Sequence, residues 1–353
     1  MTTQTIIADD LFAGAGGWDI GARALGIHAR GVENMREARA TRDAAGLETI
    51  HDDVWTFVPD GKASLLIASP PCQTLSQAGN GSGRKALDQV LELIEVGAYG
   101  NIETLAHAAA VLGDERTALV LTPLHFATQY EYETLAWEQV AAVLPVWEAC
   151  AEVLRGQGWN VWTGLVYAEQ YGVPQTRKRA VLIASRTHEV GRPTPPHSRY
   201  NPRNPDKLDG LPRWVSMAEA LGWDGERRAA APDYLMPTND RPNVAKRSPE
   251  HPAPTMAFGH ERPRWCWNRP STTVVGSFKP EVIAAPGYRT TVSRQNAPDS
   301  VRVTVEEAGV LQSFPADFPW QGAKGKQFLQ CGNAVPPRLA THVLAEAAGQ
   351  EMI

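Results

Sequence analysis

Cysteine is scarce in this chain and never clustered. There are four among 353 residues, with no CxxC pair and no Cys/His spacing of the kind that holds zinc. That argues against a disulfide-stapled secreted domain and against a structural metal, and no metal is expected at the functional site. Long apolar runs are missing too. Nothing approaches the ~20 residues that a membrane-spanning helix needs, and the amino terminus lacks the basic-then-apolar pattern of a secretory signal. A reduced, cytoplasmic location away from membranes is therefore expected. Low-complexity sequence is absent. An excess of positive charge is absent as well, since 34 Lys and Arg face 39 Asp and Glu for a net charge of −5. The charge is unevenly spread, however. Residues 190–268 carry twelve Lys/Arg against nine Asp/Glu, about +3, which leaves about −8 for the rest. With 43% hydrophobic residues, the chain has material for one large domain and a smaller one.

What is present is a set of short segments that carry chemistry. The apolar run Leu65-Leu66-Ile67-Ala68 reads as a buried strand, and Pro70-Pro71-Cys72-Gln73 follows it closely. Two successive prolines remove two backbone donors and fix φ, so neither strand nor helix continues, and a thiol stands on a stiff tip. In an open α/β sheet, ligands gather at such carboxyl ends of strands. A cysteine beside a loop is more often a buried structural thiol, but three further segments outweigh that reading.

The first is amino-terminal. A short β run at Thr5-Ile6-Ile7-Ala8 leads into Asp10-Leu11-Phe12-Ala13-Gly14-Ala15-Gly16-Gly17 and a helix from Trp18 to Leu25. Strand, glycine turn and helix bring backbone close to a nucleotide-like ligand. The dinucleotide fingerprint needs a third glycine where this chain has Asp19. A second strand, Ala29 to Val32, delivers Glu33 where an acid holds ribose hydroxyls, and a third ends at Asp52-Asp53-Val54. This pattern suits an adenosine without pyrophosphate, and so S-adenosylmethionine more than NAD. The second segment is Glu138-Gln139-Val140 after the strand-like run Tyr132 to Trp137. Desolvation there favours a protonated carboxyl able to donate to a ring nitrogen. The third is Gln170 to Arg179 ahead of the strand Ala180 to Ala184. Arg177 and Arg179, two apart, are expected to point the same way at a strand end, ready for an anion or ligand acceptor.

Between these, Ala78 to Lys85 contains three glycines and ends on Arg84-Lys85. It is expected to form a mobile lid over a phosphate-bearing ligand, with Ser76 beside it. Ala86 to Val96 has helical apolar spacing that serves packing. From Arg192 to Trp267 the composition turns to Pro, Arg, Asn and Trp, marking loop-built structure with one short helix, Val215 to Leu221. His251 to Met256 echoes Arg269 to Val274, as two short strands lying side by side would.

Taken in order, these segments resemble the C5-cytosine DNA methyltransferase family over nearly the whole chain. Asp10 to Gly17 resembles its cofactor motif, Ser69 to Gln73 its nucleophile motif, and Glu138-Gln139-Val140 its Glu-Asn-Val motif. Gln175 to Arg179 resembles Gln-x-Arg-x-Arg, and Arg269 to Val274 and Gln330 to Pro336 resemble the last two motifs. Gln139 replaces the family's Asn; the longer amide is expected still to brace the Pro-Cys loop, at some cost in efficiency. The resemblance implies an α/β, Rossmann-like S-adenosylmethionine-dependent methyltransferase, with a mostly parallel sheet and a smaller irregular target-recognition domain. The implied boundaries are 1–187 for catalysis and cofactor, 188–268 for target recognition, and 269–353 for a return segment. There the last helix, Ala334 to Ala348, would bring Asn333 back to the cofactor.

The roles it implies are Cys72 as nucleophile at cytosine C6, Glu138 at N3, and Arg177 and Arg179 on the O2 side. Phe12, Gly14, Gly16, Glu33, Asp53, Pro71 and Asn333 would surround S-adenosyl-L-methionine, while Gln73, Ser76, Arg84, Lys85 and Thr273 would meet DNA. The target base must be flipped out of the duplex. The implied partner is double-stranded DNA. A monomer is expected, and a cognate restriction endonuclease is a candidate companion. Rival readings are a transfer-RNA cytosine methyltransferase of the same fold, a dinucleotide oxidoreductase and a binding-only regulator. The Pro-Pro-Cys tip and the Pro/Arg-rich segment favour DNA, the missing third glycine speaks against the oxidoreductase, and the full set of chemical groups speaks against the regulator.

Overall fold

The computed structural model of the chain describes residues 5–71, 81–112, 118–201, 204, 207–222, 271–272 and 304–352, with backbone alone at 81–85, 112 and 271–272. The strands in chain order are β1 (Ile7–Leu11), β2 (His28–Val32), β3 (Glu48–His51), β4 (Leu65–Ala68), β5 (Thr134–Val140), β6 (Asn160–Tyr167), β7 (Gln175–Thr176), β8 (Lys178–Ser185) and β9 (Ser271–Thr272). The helices are α1 (Gly17–Arg23), α2 (Arg36–Ala44), α3 (Gly81–Glu95), α4 (Ile102–Leu112), α5 (Thr122–Gln129), α6 (Leu144–Gly156), α7 (Met217–Leu221), α8 (Val305–Leu311), α9 (Lys324–Asn333) and α10 (Pro337–Ala348). The chain divides into two compact units. The first holds residues 1–166, 178–194 and 339–353, and the second holds 167–177 and 195–338.

The first unit is built on a seven-stranded sheet in the order β3-β2-β1-β4-β5-β8-β6. β1, β2, β3, β4 and β5 pair in parallel, and β8 runs antiparallel to β5. The strand order turns back between β1 and β4, the switch point at which open α/β sheets bind ligands. Residues Leu65 to Ala68 are fully buried, as expected of an interior parallel strand covered on both faces. On the β5 side, Trp137 packs against Trp147 of α6 with ring centroids 5.5 Å apart.

Several elements differ from their expected bounds, each for a local reason. β1 does not end at Ala8 but runs through two carboxylates to Leu11. Asp9 is tolerated because Arg30 of β2 donates to it at 2.6 Å and the Tyr132 hydroxyl at 2.9 Å, while Arg30 also grips Asp60 at 2.9 Å. β5 continues through Glu138 and Gln139 to Val140 because β8 pairs with it along its whole length. The expected glycine loop is cut short, since α3 is already helical from Gly81. Its buried residues Ala86, Val90 and Ile94 offset the cost of two helical glycines, about 1 kcal/mol each. In place of one helix from Ala334, α9 ends at Asn333 and α10 starts at Pro337. Two consecutive prolines, 336 and 337, break the ladder, and Pro337 fits the first helical position. Beyond it the C-terminal helix belongs to the first unit, where Thr341 Oγ1 donates to Gly21 O at 3.3 Å and Glu346 accepts from Gly191 N at 2.6 Å.

In the second unit, β7 pairs in parallel with β9 through Gln175↔Ser271 and Thr176↔Thr272. The other half of the expected strand echo, 251–256, lies outside the described residues. The helices α7 and α8 open with capping boxes, Ser216 with Glu219 and Thr304 with Glu307. Gln175 Nε2 donates to Leu311 O and Gln312 Oε1, and Gln312 Nε2 donates to Cys331 O at 2.8 Å, tying β7 to α8 and α9. Of the expected recognition interval 188–268, the described part is 188–201, 204 and 207–222.

Candidate active site

Four neighbouring strands bring their carboxyl ends to one edge of the first unit. The register aligns Leu11 of β1 with Val32 of β2 and Ala68 of β4, and Ala68 with Trp137 of β5. The glycine turn, Glu33, Ser69-Pro70-Pro71 and Glu138 therefore start from one level of the sheet.

The turn after β1 is held open by unusual backbone. Phe12 has φ 62, and Gly14 and Gly16 have φ 55 and 100. A non-glycine residue there costs on the order of 1–3 kcal/mol, and such residues cluster at ligand sites. A Cβ on Gly16 would run into the Leu47 side chain. Glu33, 9% exposed, accepts the backbone N–H of Gly14 and of Met35, each at 2.7 Å. It thus fixes the turn, and each carboxylate oxygen keeps capacity for a ligand hydroxyl. Asp53, half-buried, accepts from Trp55 N at 3.0 Å just beyond β3. At the first turn of α1, where a dinucleotide fold seats its pyrophosphate, buried Asp19 pairs with Arg42 at 2.7 Å. A carboxylate there disfavours a second anion. The turn therefore fits an adenosyl ligand without a diphosphate.

Behind the turn, Asp10 is fully buried and both its carboxylate oxygens lack a partner among the described residues. Burial, with Asp19 adding to it and Arg42 opposing, holds its carboxyl well above the ordinary range. Sequence reasoning passed over Asp10, although a carboxylate inside a buried parallel strand is itself a signal. It also passed over Trp18, whose indole N–H donates to Ser69 Oγ at 2.8 Å. Nothing in sequence order announces a bond across 51 residues.

On the far side of β4, Glu138 is 4% exposed and Arg179 Nε lies 2.6 Å from its Oε1. Burial lowers the Arg179 pKa while Glu138 pulls the other way. Glu138 is therefore buried beside a guanidinium, not as an isolated carboxyl. Gln139 Nε2 donates to the Pro70 carbonyl, and its Oε1 accepts from Val140 N, so the longer amide does reach the Pro-Cys loop. The strand expected to carry both arginines is broken at Arg177, between β7 and β8. The two side chains take different partners: Arg177, in the second unit, donates to Gly332 O at 3.0 Å. Asn333, exposed, closes α9 in that unit. Cys72, Gln73, Ser76 and Thr273 lie outside the described residues, as do the side chains of Arg84 and Lys85, whose backbone is in α3. Of the other three cysteines, Cys266 lies outside the described residues, and Cys150 and Cys331 are buried. Burial pushes both thiols up, Cys331 to about 12. Among the described residues no group of three His, Cys, Asp or Glu is placed to hold a metal ion, and no helix is long and apolar enough to cross a membrane.

A family model for C-5 cytosine-specific DNA methylase matches residues 6–94 and 143–348. Among curated proteins, the chain is 26% identical to the type II methyltransferase M1.HphI of Haemophilus parahaemolyticus, over 96% of this chain and 85% of that protein. It is also 26% identical to the type II methyltransferase M.AplI of Arthrospira platensis, over 95% and 83%. Among solved structures, a putative DNA modification methyltransferase encoded within an E. coli prophage aligns with TM-score 0.59 at 15% identity, covering 98% of this chain and 99% of that one. The Entamoeba histolytica methyltransferase EhMeth aligns with TM-score 0.58 at 13% identity and the same coverage.

Proposed function

The chain belongs to the C-5 cytosine-specific DNA methylase family, and on that premise we propose that it methylates C5 of a flipped-out cytosine in duplex DNA through a covalent adduct of Cys72. It is a DNA cytosine-5-methyltransferase. The observation that carries the reading is the common level of four strand ends, where an open glycine turn, the Pro70-Pro71 tip and the buried Glu138–Arg179 pair adjoin.

S-adenosylmethionine, when bound, supplies an electrophilic methyl group. Gly14 and Gly16 would give it room at the turn, Phe12 and Asp53 would flank it and Glu33 would take its ribose hydroxyls, while Pro71 and Asn333 are assigned to it by their place in the family motifs. Cytosine C5 is a weak nucleophile until the ring is activated. The Cys72 thiolate would bond to C6, giving an enamine whose C5 takes the methyl group as the methyl–sulfur bond breaks and S-adenosylhomocysteine leaves, and loss of the C5 proton with expulsion of the thiolate would restore the ring. Glu138 supports the addition at N3, with Arg179 beside it, and Arg177 orders the O2 side. Buried thiols are inert, which removes Cys150 and Cys331 from contention. Gln73, Ser76, Arg84, Lys85 and Thr273 contact DNA, and the target base leaves the stack to reach the site. The type II methyltransferases to which the chain is similar support a restriction-modification role; a cognate endonuclease, a cytoplasmic location and a monomeric enzyme are part of the same proposal. Residues 188–268 form the target-recognition region.

The test is bisulfite sequencing of DNA from cells that express the protein. Wild type is expected to leave 5-methylcytosine in one sequence context. Cys72→Ala is expected to leave none while purified protein still binds S-adenosylmethionine. Equal methylation by the alanine variant overturns the covalent mechanism.

A further inference from the structure

Of the three residues that carry the chain from β4 to Cys72, the first two, Ser69 and Pro70, are gripped by side chains from neighbouring elements. Ser69 N makes the last backbone bond to the sheet, to Leu11 O at 3.2 Å. Beyond it Pro70 and Pro71 have no N–H to donate, so their backbone can hold the tip to its neighbours only by accepting. Trp18 Nε1 donates to Ser69 Oγ at 2.8 Å, and Gln139 Nε2 donates to the Pro70 carbonyl. Neither contact is incidental. Of the buried tryptophans, 137, 147, 159, 214 and 320 leave the indole N–H without a partner among the described residues, whereas Trp18 donates. The Gln139 amide is oriented by Val140 N, which donates to its oxygen and leaves the NH₂ facing Pro70.

Resting on the methyltransferase reading, and with Gln139 bracing Pro70 as the family resemblance implies, we propose that Trp18 is a further positioning residue whose bond to Ser69 clamps the root of the Pro70-Pro71 tip from the other side. Trp18 reaches out from the helix of the cofactor turn and Gln139 from the strand that bears Glu138. The position of the nucleophile thus follows both the cofactor side and the acid side of the site. A misplacement of about 1 Å costs on the order of a hundredfold in rate, and one lost hydrogen bond of ordinary strength corresponds to about tenfold. Loosening either grip is expected to fall within that range.

The experiment uses full-length Trp18→Phe, Ser69→Ala, the double variant Trp18→Phe/Ser69→Ala, and Gln139→Met, with duplex DNA carrying cytosine or 5-fluorocytosine at the target. Single-turnover methylation and the rate of covalent trapping are expected to fall about tenfold in each single variant. The dissociation constant for S-adenosylmethionine and the melting temperature should stay close to wild type. The double variant should be no slower than the slower of its two parents, because both remove one bond. Ser69→Ala tests that bond even where Trp18→Phe compromises folding. Wild-type rates in Ser69→Ala overturn the clamp, whatever Gln139→Met does. So does a loss accounted for wholly by weaker cofactor binding. Failure of the wild-type protein to trap 5-fluorocytosine, while it still transfers methyl groups, instead overturns the covalent reading and leaves the clamp to be judged on single-turnover rates.

Discussion

At Glu138 a buried carboxylate and a buried guanidinium depend on each other. Glu138 is 4% exposed and Arg179 9%, with 2.6 Å between their facing atoms. Glu138→Gln keeps the shape, removes the acid and leaves Arg179 in the interior without its counter-charge. Single-turnover methylation should slow by at least about a hundredfold, and stability should fall on the order of 3 kcal/mol. An unchanged single-turnover rate would mean that Glu138 serves structure alone. The sequence made the burial of Glu138 legible but not its partner, because the pairing depends on an antiparallel β8 that no local pattern reveals. Glu169 offers the opposite case. It is 2% exposed and its Oε2 lacks a partner among the described residues. Burial pushes its pKa from 4.5 up to about 7, against weaker opposing help from backbone N–H groups and Arg199. The unfolded chain releases this proton near 4.5 while the folded chain keeps it, so stability declines as pH rises through that window. Glu169→Gln avoids the loss. Its unfolding free energy, read from denaturant melts, should match wild type below pH 4.5, pull ahead between 4.5 and 7, and hold a constant lead above, by on the order of 3 kcal/mol. A lead that does not change with pH would refute the assignment.

The glycine turn after β1 concentrates its demands on Gly16. Its φ of 100 suits glycine alone, and a Cβ there would meet the Leu47 side chain. Gly16→Ala is expected to lower S-adenosylmethionine affinity more than tenfold and stability by about 1–3 kcal/mol, read by calorimetric titration and thermal melting. Unchanged affinity would place the cofactor elsewhere. This element was legible because strand, glycine turn and helix form one local pattern, and β4 was legible because burial on both faces leaves an unbroken apolar run. β1 was cut short in the sequence reading because Asp9-Asp10 looks like a strand end. Only Arg30, one strand away, and Tyr132, 123 residues along, make Asp9 acceptable inside. The last helix, expected from Ala334, starts only at Pro337, and Pro336-Pro337 carries that boundary in plain view, because two missing backbone donors suit a helix start and not its interior.

Across the whole molecule, the proposed catalytic and cofactor groups come from the first 179 residues and from Asn333, so that they flank in sequence the slightly basic stretch 190–268, with twelve Lys/Arg against nine Asp/Glu. Motif order made the first arrangement readable. No base-reading code could be drawn from the second, because side chains on irregular loops meet base edges through geometry that has no sequence period. The division of labour is nonetheless testable. Phosphate contacts set affinity and register, while base-edge contacts set the sequence that is read. Exchanging 190–268 for the matching segment of a related methyltransferase should therefore move methylation to the donor's site, with the chemistry still C5 transfer through Cys72. Binding of S-adenosylmethionine by the chimera comes first, as proof that the first unit has folded. Bisulfite sequencing then reports the methylated context. A folded, active chimera that still methylates the original site would take recognition away from this segment and assign it to the stretch from Gly79 to Lys85, which follows the nucleophile directly. A Cys72→Ala version of the same chimera should be silent in either case, because the exchange alters which cytosine is presented and not the thiol that attacks it.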